Sequence, residues 1–204
     1  MRFLFIGNSH TFRNDMPRIF QQVCQENGIP AEVTMLAHSG KTFEFHSEQP
    51  EVRFNILYGN YDYIILQDRQ KDFSPDAALK FGTAIDEIIR QTTSKKILYM
   101  TWTIPQERAI QNEVAQGYYR LGQAINAPVA PVGLLWWEYA DRHPDEALFV
   151  EDNRHATPTG SALAAYTIFQ TIFNRPPRAI MAEHTNIVDL VTVRMAAYKP
   201  EDFI

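Results

Sequence analysis

Cysteine is almost missing from this sequence, since Cys24 is the only one among 204 residues. A framework of disulfide bonds within the chain is therefore excluded. A lone thiol inside a predicted helix is expected to be a small core residue rather than a nucleophile. The sequence also has no run of lysine or arginine, and its formal net charge is −5. This charge argues against nucleic acid or an anionic membrane as the main partner.

Long hydrophobic runs are missing as well. No stretch of the sequence is apolar over the length that a membrane-spanning helix needs. The N-terminus has no charged leader that is followed by an apolar segment and a cleavage site. Its residues "RFLFIG" are instead typical of a strand. We therefore expect a cytoplasmic protein without a membrane partner, although a chain from which a leader had been removed would look the same.

The sequence does contain a regular alternation of short apolar runs and helical patterns, with 45% apolar residues in total. The apolar runs predict strands at Arg2 to Ile6, Glu32 to Ala37, Tyr61 to Gln67, Lys96 to Trp102 and Pro128 to Val132. The helical patterns cover Met16 to Asn27, Glu48 to Tyr58, Asp76 to Thr92, Glu107 to Ile125, Pro158 to Phe173 and Asn186 to Ala197.

Strands that alternate with helices predict a parallel sheet with right-handed crossovers and helices on both faces. We therefore predict a single three-layer α/β/α domain over residues 1–204. Its sheet has about five parallel strands and is doubly wound, with a flavodoxin-like strand order. Ligands bind such sheets beyond the carboxyl ends of the strands. The segments "GNSHT" and "LQDRQ" follow the first and third predicted strands, and both are therefore candidates for a site.

Ser9 lies in the first of these segments. Gly7 allows the chain to leave the strand in a conformation that other residues avoid, and Ser9 then lies near the start of a helical turn with free N–H groups. A serine at such a place is commonly only a helix cap. It becomes a nucleophile only when a base lies beside it.

A candidate base occurs in the stretch "FVEDNRHATPTG", where Asp152 precedes His155 by three residues. At this spacing in a turn, the carboxylate can orient the imidazole and stabilise its charged form, as in a catalytic triad. The alternative interpretation is a surface loop in which Asp152 caps a turn and His155 has no special role.

Together these motifs resemble those of the SGNH hydrolases, the group that includes the GDSL-type lipases and esterases. "GNS" at Gly7 to Ser9 is similar to the family's first motif, Gly-Asp-Ser, with Asn8 in place of the aspartate. "DNRH" at Asp152 to His155 matches the Asp-x-x-His motif before the last major helix. The resemblance implies that Ser9, His155 and Asp152 are nucleophile, base and orienting acid.

The resemblance also implies an oxyanion hole. Its donors would be the backbone N–H groups of Ser9 and of Gly40, in "AHSGKT" after the second strand. The family's Gly-x-Asn-Asp motif, whose asparagine is a further donor, is absent, and "IILQDRQ" stands in its place. We expect the amide of Gln67 to replace that donor, because glutamine is only one methylene longer than asparagine.

The function that the resemblance implies is hydrolysis of a small ester, such as a carboxylester or an O-acetylated carbohydrate, without a metal or other cofactor. The residues expected to line the substrate pocket are Asn8, His10, Asp68, Arg69, Trp102 and Trp136. The aromatic members of this set could equally be core residues. Two alternative functions remain: a catalytically silent module that binds carbohydrate or protein, and a flavodoxin-like protein that binds flavin or phosphate.

Overall fold

The centre of the fold is a parallel sheet. The structure, a computed structural model, describes residues 1–203, which form five strands. These are β1 Arg2–Gly7, β2 Glu32–Ala37, β3 Tyr63–Leu66, β4 Lys95–Tyr99 and β5 Val129–Ala130. Their order is β2-β1-β3-β4-β5, and every neighbouring pair is parallel. The predicted α/β class and flavodoxin-like order are confirmed.

Helices cover both faces of this sheet. Within residues 1–203 the α-helices are α1 Ser9–Phe12, α2 Met16–Glu26, α3 Phe43–Glu48, α4 Pro50–Tyr58, α5 Pro75–Ile89, α6 Gln111–Ile125, α7 Val132–Arg142, α8 Pro158–Phe173 and α9 Thr185–Arg194. Short 3₁₀ segments occur at Arg13–Asp15, Pro105–Ile110, Ala182–His184, Met195–Ala197 and Pro200–Asp202. No helix in this part of the chain is long and apolar enough to cross a membrane.

The core lies in two layers, one on each side of the sheet, because successive strand residues point to opposite faces. Phe3 and Phe5 of β1 pack on the side of α2 and α8, in a cluster that also contains Trp102. Leu4 and Ile6 pack on the other side, with α4, α5 and α6. Burial on both faces explains why the strands read as apolar runs rather than as an alternating pattern.

Two of the predicted elements differ from the structure. The fifth strand has only two residues instead of five, because Pro131 has no N–H for the ladder and α7 begins at Val132. The predicted helix from Glu107 is divided into the 3₁₀ segment Pro105–Ile110 and α6. Helices α3 and α7 are absent from the sequence-based prediction.

The parallel register brings three strand ends together. Gly7 at the end of β1 is paired with Ala37 of β2, and Ile6 is paired with Leu66 of β3. The turns that follow these strands therefore meet at one edge of the sheet. The loop before α8 reaches the same edge, because its residue His155 contacts Ser9 in the turn after β1.

Candidate active site

The turn after β1 presents Ser9 at the edge of the sheet. Asn8 is the N-cap of α1, and its side-chain oxygen accepts a hydrogen bond from the His10 N–H at 3.1 Å. No acceptor for the Ser9 N–H is found within residues 1–203, as expected for the first residue of a helix. Only glycine fits before this turn, because a Cβ on Gly7 would lie 2.4 Å from the hydroxyl oxygen of Thr11. Ser9 therefore offers both a hydroxyl and a free N–H.

A chain of hydrogen bonds joins Ser9 to His155 and Asp152. The Ser9 hydroxyl lies 2.9 Å from Nε2 of His155, and Nδ1 of the same ring lies 2.6 Å from Oδ2 of Asp152. Because the carboxylate holds the proton on Nδ1, Nε2 is an acceptor for the serine hydroxyl. This arrangement is suited to taking a proton from Ser9.

The other oxygen of Asp152 holds the loop itself. Oδ1 accepts hydrogen bonds from the backbone N–H groups of Arg154 at 2.8 Å and His155 at 2.9 Å. Burial opposes ionisation of Asp152, but the hydrogen bonds from the His155 ring and from these two N–H groups outweigh it. They hold the pKa of Asp152 well below its ordinary value. The carboxylate is therefore ionised throughout the neutral range.

The loop that carries His155 is anchored to the rest of the protein on both sides. An antiparallel bridge between Phe149 and Ala156 closes it. The indole N–H of Trp102 donates to the Arg154 carbonyl at 3.0 Å, and the side-chain amide of Asn14 donates to the Ala156 carbonyl at 2.9 Å. The imidazole is thereby fixed over the serine by the buried Trp102 and by Asn14 as well as by its own loop.

Gly40, in the loop after β2, supplies a second free N–H. Its φ is +68°, a left-handed conformation that favours glycine. No acceptor for its N–H is present in the described part of the chain. The loop is tied to the turn that contains Ser9, because the Asn8 side-chain amide donates to the Lys41 carbonyl at 2.9 Å. Gly40 and Ser9 line the same cleft.

The structure corrects the expected role of Gln67. Its side chain is fully buried beneath the turn that contains Ser9. Its oxygen accepts hydrogen bonds from the Asn8 N–H at 2.9 Å and from the Thr11 hydroxyl at 2.8 Å, and its nitrogen donates to the Asp68 carbonyl. The missing Cβ of Gly7 makes room for it there. Gln67 therefore fixes the turn and does not face the cleft as an oxyanion donor.

Three expected pocket residues are also corrected. Trp102 and Trp136 are fully buried, and their rings stack at 3.8 Å, so both belong to the core. Asp68 is nearly buried, and its Oδ1 accepts from the N–H groups of Phe43 and Arg69 at 2.8 Å each. Burial raises the pKa of Asp68 to about 6, against the effect of these hydrogen bonds. Its carboxylate supports the neighbouring loops and does not line the cleft beside Ser9.

His10 does line the cleft. Its ring packs against Trp102 at 4.6 Å and lies 5.7 Å from the His155 ring, with only 6% of the residue exposed. Burial, assisted by the charges of His155 and Arg154 and opposed by that of Asp152, lowers the pKa of His10 to about 3. Its imidazole is therefore neutral near pH 7 and adds no charge beside the catalytic candidate His155.

The cleft has a volume of about 230 Å³, small beside the several hundred Å³ of a drug-sized pocket. Its lining consists of Asn8, Ser9, His10, Ser39, Gly40, Arg69, Gln70, Lys71, Arg154 and His155. Sequence reasoning missed Ser39, Gln70, Lys71 and Arg154. Each of them lies next to or within a motif that was recognised, and this adjacency was the available signal.

A larger hollow of about 570 Å³ lies elsewhere, between α6, the start of β5 and Pro200. It contains no histidine, serine or cysteine in its lining. Across residues 1–203, no three His, Cys, Asp or Glu side chains are grouped in a way that would hold a metal ion. The chemistry that the structure offers is therefore concentrated in the smaller cleft.

Comparisons with known proteins agree with this picture at the level of the fold. No family model and no curated protein sequence matches the chain. A protein from Slackia heliotrinireducens that is provisionally assigned to the SGNH hydrolases has 20% identity and a TM-score of 0.70, over 84% of this chain and 98% of its own. A DUF4886 family protein from Bacteroides uniformis has 13% identity and a TM-score of 0.72, over 97% and 95%.

A third similar structure is the psychrotrophic esterase EstA from Pseudoalteromonas sp., which was determined with monoethylphosphonate as inhibitor. It has 11% identity and a TM-score of 0.64, over 85% of this chain and 97% of its own. At these identities the likeness concerns the fold. The chain shares the three-layer α/β fold, with a flavodoxin-like sheet, of the SGNH and GDSL proteins.

Proposed function

We propose that this chain is a serine hydrolase that acts on a small ester through an acyl-enzyme. The hydrogen-bonded series of Asp152, His155 and Ser9 is the observation that carries the proposal. It joins a hydroxyl, a base and an orienting carboxylate in the order that nucleophilic acyl transfer requires. A cleft of about 230 Å³ suits a short acyl group, such as acetyl, better than a long fatty chain.

In the first half of the proposed reaction, the Ser9 oxygen attacks the ester carbonyl carbon while Nε2 of His155 takes the serine proton. The ionised Asp152 stabilises the imidazolium that forms. The carbonyl oxygen becomes an oxyanion, for which the free N–H groups of Ser9 and Gly40 are the available backbone donors. A well-placed donor of this kind is worth about 3 kcal/mol in the transition state.

In the second half, the tetrahedral intermediate collapses and breaks the bond to the alcohol oxygen. His155 gives its proton to that leaving alcohol, so the acyl group remains on Ser9. Water then attacks the acyl-serine while His155 takes a proton from the water. Collapse of this second intermediate releases the carboxylic acid and restores the serine hydroxyl. No step requires a cofactor.

Labelling with a small fluorophosphonate tests the proposal directly, because the reagent reacts only with an activated nucleophile. We expect a single adduct in the intact mass, on the peptide that contains Ser9. Ser39→Ala changes the other serine of the cleft and is expected to be labelled at Ser9 as well. A folded protein that stays unlabelled at Ser9 would contradict the proposal and favour a binding module with the same fold.

Asn8→Asp is expected to lower kcat roughly tenfold or more, with little change in KM. The Asn8 amide accepts from the His10 N–H and donates to the Lys41 carbonyl, so it joins the nucleophile turn to the Gly40 loop. A carboxylate keeps the first bond but cannot donate the second. An unmade buried bond costs about 1–3 kcal/mol, and the new charge opposes the developing oxyanion. Steady-state kinetics on a short aryl ester measure the effect.

Asn112→Asp is the matched control, since Asn112 is exposed on α6 and the substitution changes the net charge equally. It should retain the kinetics of the original protein. Melting curves of both variants separate loss of fold from loss of turnover. If Asn8→Asp had the same kcat as the control, the hydrogen bond from Asn8 to the Lys41 carbonyl would have no part in catalysis.

A further inference from the structure

Cationic side chains are concentrated at the cleft that contains Ser9. Arg69, Lys71 and Arg154 line it, whereas no aspartate or glutamate does. The whole chain has the opposite balance, with 24 acidic and 19 basic residues. The site is therefore a local positive region on an acidic protein.

These charges are largely unneutralised by the protein itself. No ion pair involves Lys71 or Arg154 in the part of the chain that the structure describes. Arg69 is the partial exception, because the buried Asp68 carboxylate accepts from its backbone N–H and the Asp72 carboxylate lies 3.9 Å from its guanidinium. The pair with Asp72 is substantially exposed, and such pairs contribute little. At least two positive charges thus remain available to a bound molecule.

Two of these residues are held in place, Arg69 at its guanidinium and Arg154 at its backbone. The Arg69 Nε donates to the Lys71 carbonyl at 3.0 Å, which holds the guanidinium against the loop after β3. The backbone of Arg154 is fixed at its carbonyl by Trp102 and at its N–H by Asp152. The Arg154 charge acts within the cleft, because it contributes to the lowered pKa of His10. The cations thus approach Ser9 from two different loops.

From this arrangement we infer that the substrate of the proposed hydrolase is an anionic ester, which has a carboxylate, sulfate or phosphate group that binds between Arg154 and the Arg69–Lys71 loop. The inference rests on the proposed function. Cations grouped without counter-ions repel one another, and an anionic ligand removes that repulsion. They also attract an anionic substrate before contact, an effect that salt screens.

Two pairs of esters test the inference, because the charge can lie on either half of the substrate. The first pair is 4-acetoxybenzoate and 4-acetoxybenzamide, which differ in the charge of the alcohol half. The second is mono-4-nitrophenyl adipate and 4-nitrophenyl hexanoate, which differ in the charge of the acyl half. In one of these pairs we expect kcat/KM to favour the anion by roughly tenfold or more at low ionic strength, and less at high ionic strength.

Charge-removing variants locate the effect. Arg154→Gln and Lys71→Gln are expected to lower kcat/KM for the anionic ester roughly tenfold more than for its neutral partner, mainly through KM. Lys80→Gln removes a charge from the exposed surface of α5 and should leave the preference for the anion as it was. An equal loss of kcat/KM for the anionic and the neutral ester would overturn the inference. The cations would then stabilise the oxyanion or the fold rather than bind a charged group of the substrate.

The outcomes distinguish this inference from the proposed function. Hydrolysis of neutral and anionic esters at equal rates, with Ser9 labelled, overturns the anionic substrate alone. No hydrolysis and no label on Ser9 overturns the serine hydrolase, and the inference falls with it. If Ser9 is labelled but none of the four esters is hydrolysed, a second measurement is used. It compares how strongly benzoate and benzamide each slow the fluorophosphonate labelling of Ser9. Equal protection by the two compounds then overturns the inference.

Discussion

Ser9→Ala is expected to abolish ester hydrolysis, with kcat/KM lower by roughly a thousandfold or more. Alanine has no oxygen that can attack the carbonyl, and within residues 1–203 Ser9 is the only serine hydrogen-bonded to His155. The fold should remain, because Asn8 rather than Ser9 caps α1. Loss of the serine hydroxyl therefore removes one hydrogen bond, worth about 1 kcal/mol. Kinetics on 4-nitrophenyl acetate, together with a thermal unfolding curve, measure both quantities.

Ser47→Ala provides the matched control for this variant. Ser47 lies in α3, where its hydroxyl donates to the Glu44 carbonyl, and it does not line the cleft. The control should hydrolyse the ester at the original rate. Substantial turnover by Ser9→Ala would place the chemistry at another residue of the cleft, and the triad would have to be abandoned.

Asp152→Asn is expected to lower kcat by roughly ten-thousandfold, as the loss of the acid does in known triads. The asparagine oxygen can still accept from the N–H groups of Arg154 and His155, so the loop keeps its shape. Its nitrogen then donates to Nδ1 of His155, and the ring proton must move to Nε2. An Nε2–H cannot accept the proton of Ser9. The tautomer, rather than the fold, is what the variant changes.

The measurement compares kcat and the rate of fluorophosphonate labelling in the same preparation. Both should fall together, since both depend on removal of the serine proton. Asp145→Asn, a nearby exposed position, is the control for the change in charge. A kcat within tenfold of the original would mean that His155 acts without its acid.

The fold was predictable because local patterns and topology agree. The central strands β1 and β3 are buried on both faces, so they appear as apolar runs, and the alternation of strands with helices implies parallel crossovers. Helix α7 was not predicted, because its first five residues, Val132 to Trp136, are all buried and therefore show no helical periodicity in hydrophobicity. Helix α3 has only six residues, too few for a periodic signal.

The site was predictable only where a motif is local in the sequence. Asp152 and His155 are three residues apart, and Ser9 follows directly on a strand, so spacing alone made them candidates. The position of the Gln67 side chain depends on the space that Gly7 leaves beneath the turn, which only the folded structure reveals. The same holds for Arg154, since the position of a loop side chain depends on the loops packed against it.

The hydrogen bond between Ser9 and His155 joins residues 146 positions apart. Asn14 also connects distant segments, because its amide donates to the Ser161 hydroxyl at 2.9 Å. In addition, α2 packs against α8. Contacts between such distant segments raise the contact order, and the loop-closure entropy that must be overcome before they form slows folding. During synthesis on the ribosome, Ser9 emerges long before His155. Ser9 therefore lacks its imidazole partner, and the part of α2 that packs on α8 stays uncovered, until α8 has been translated.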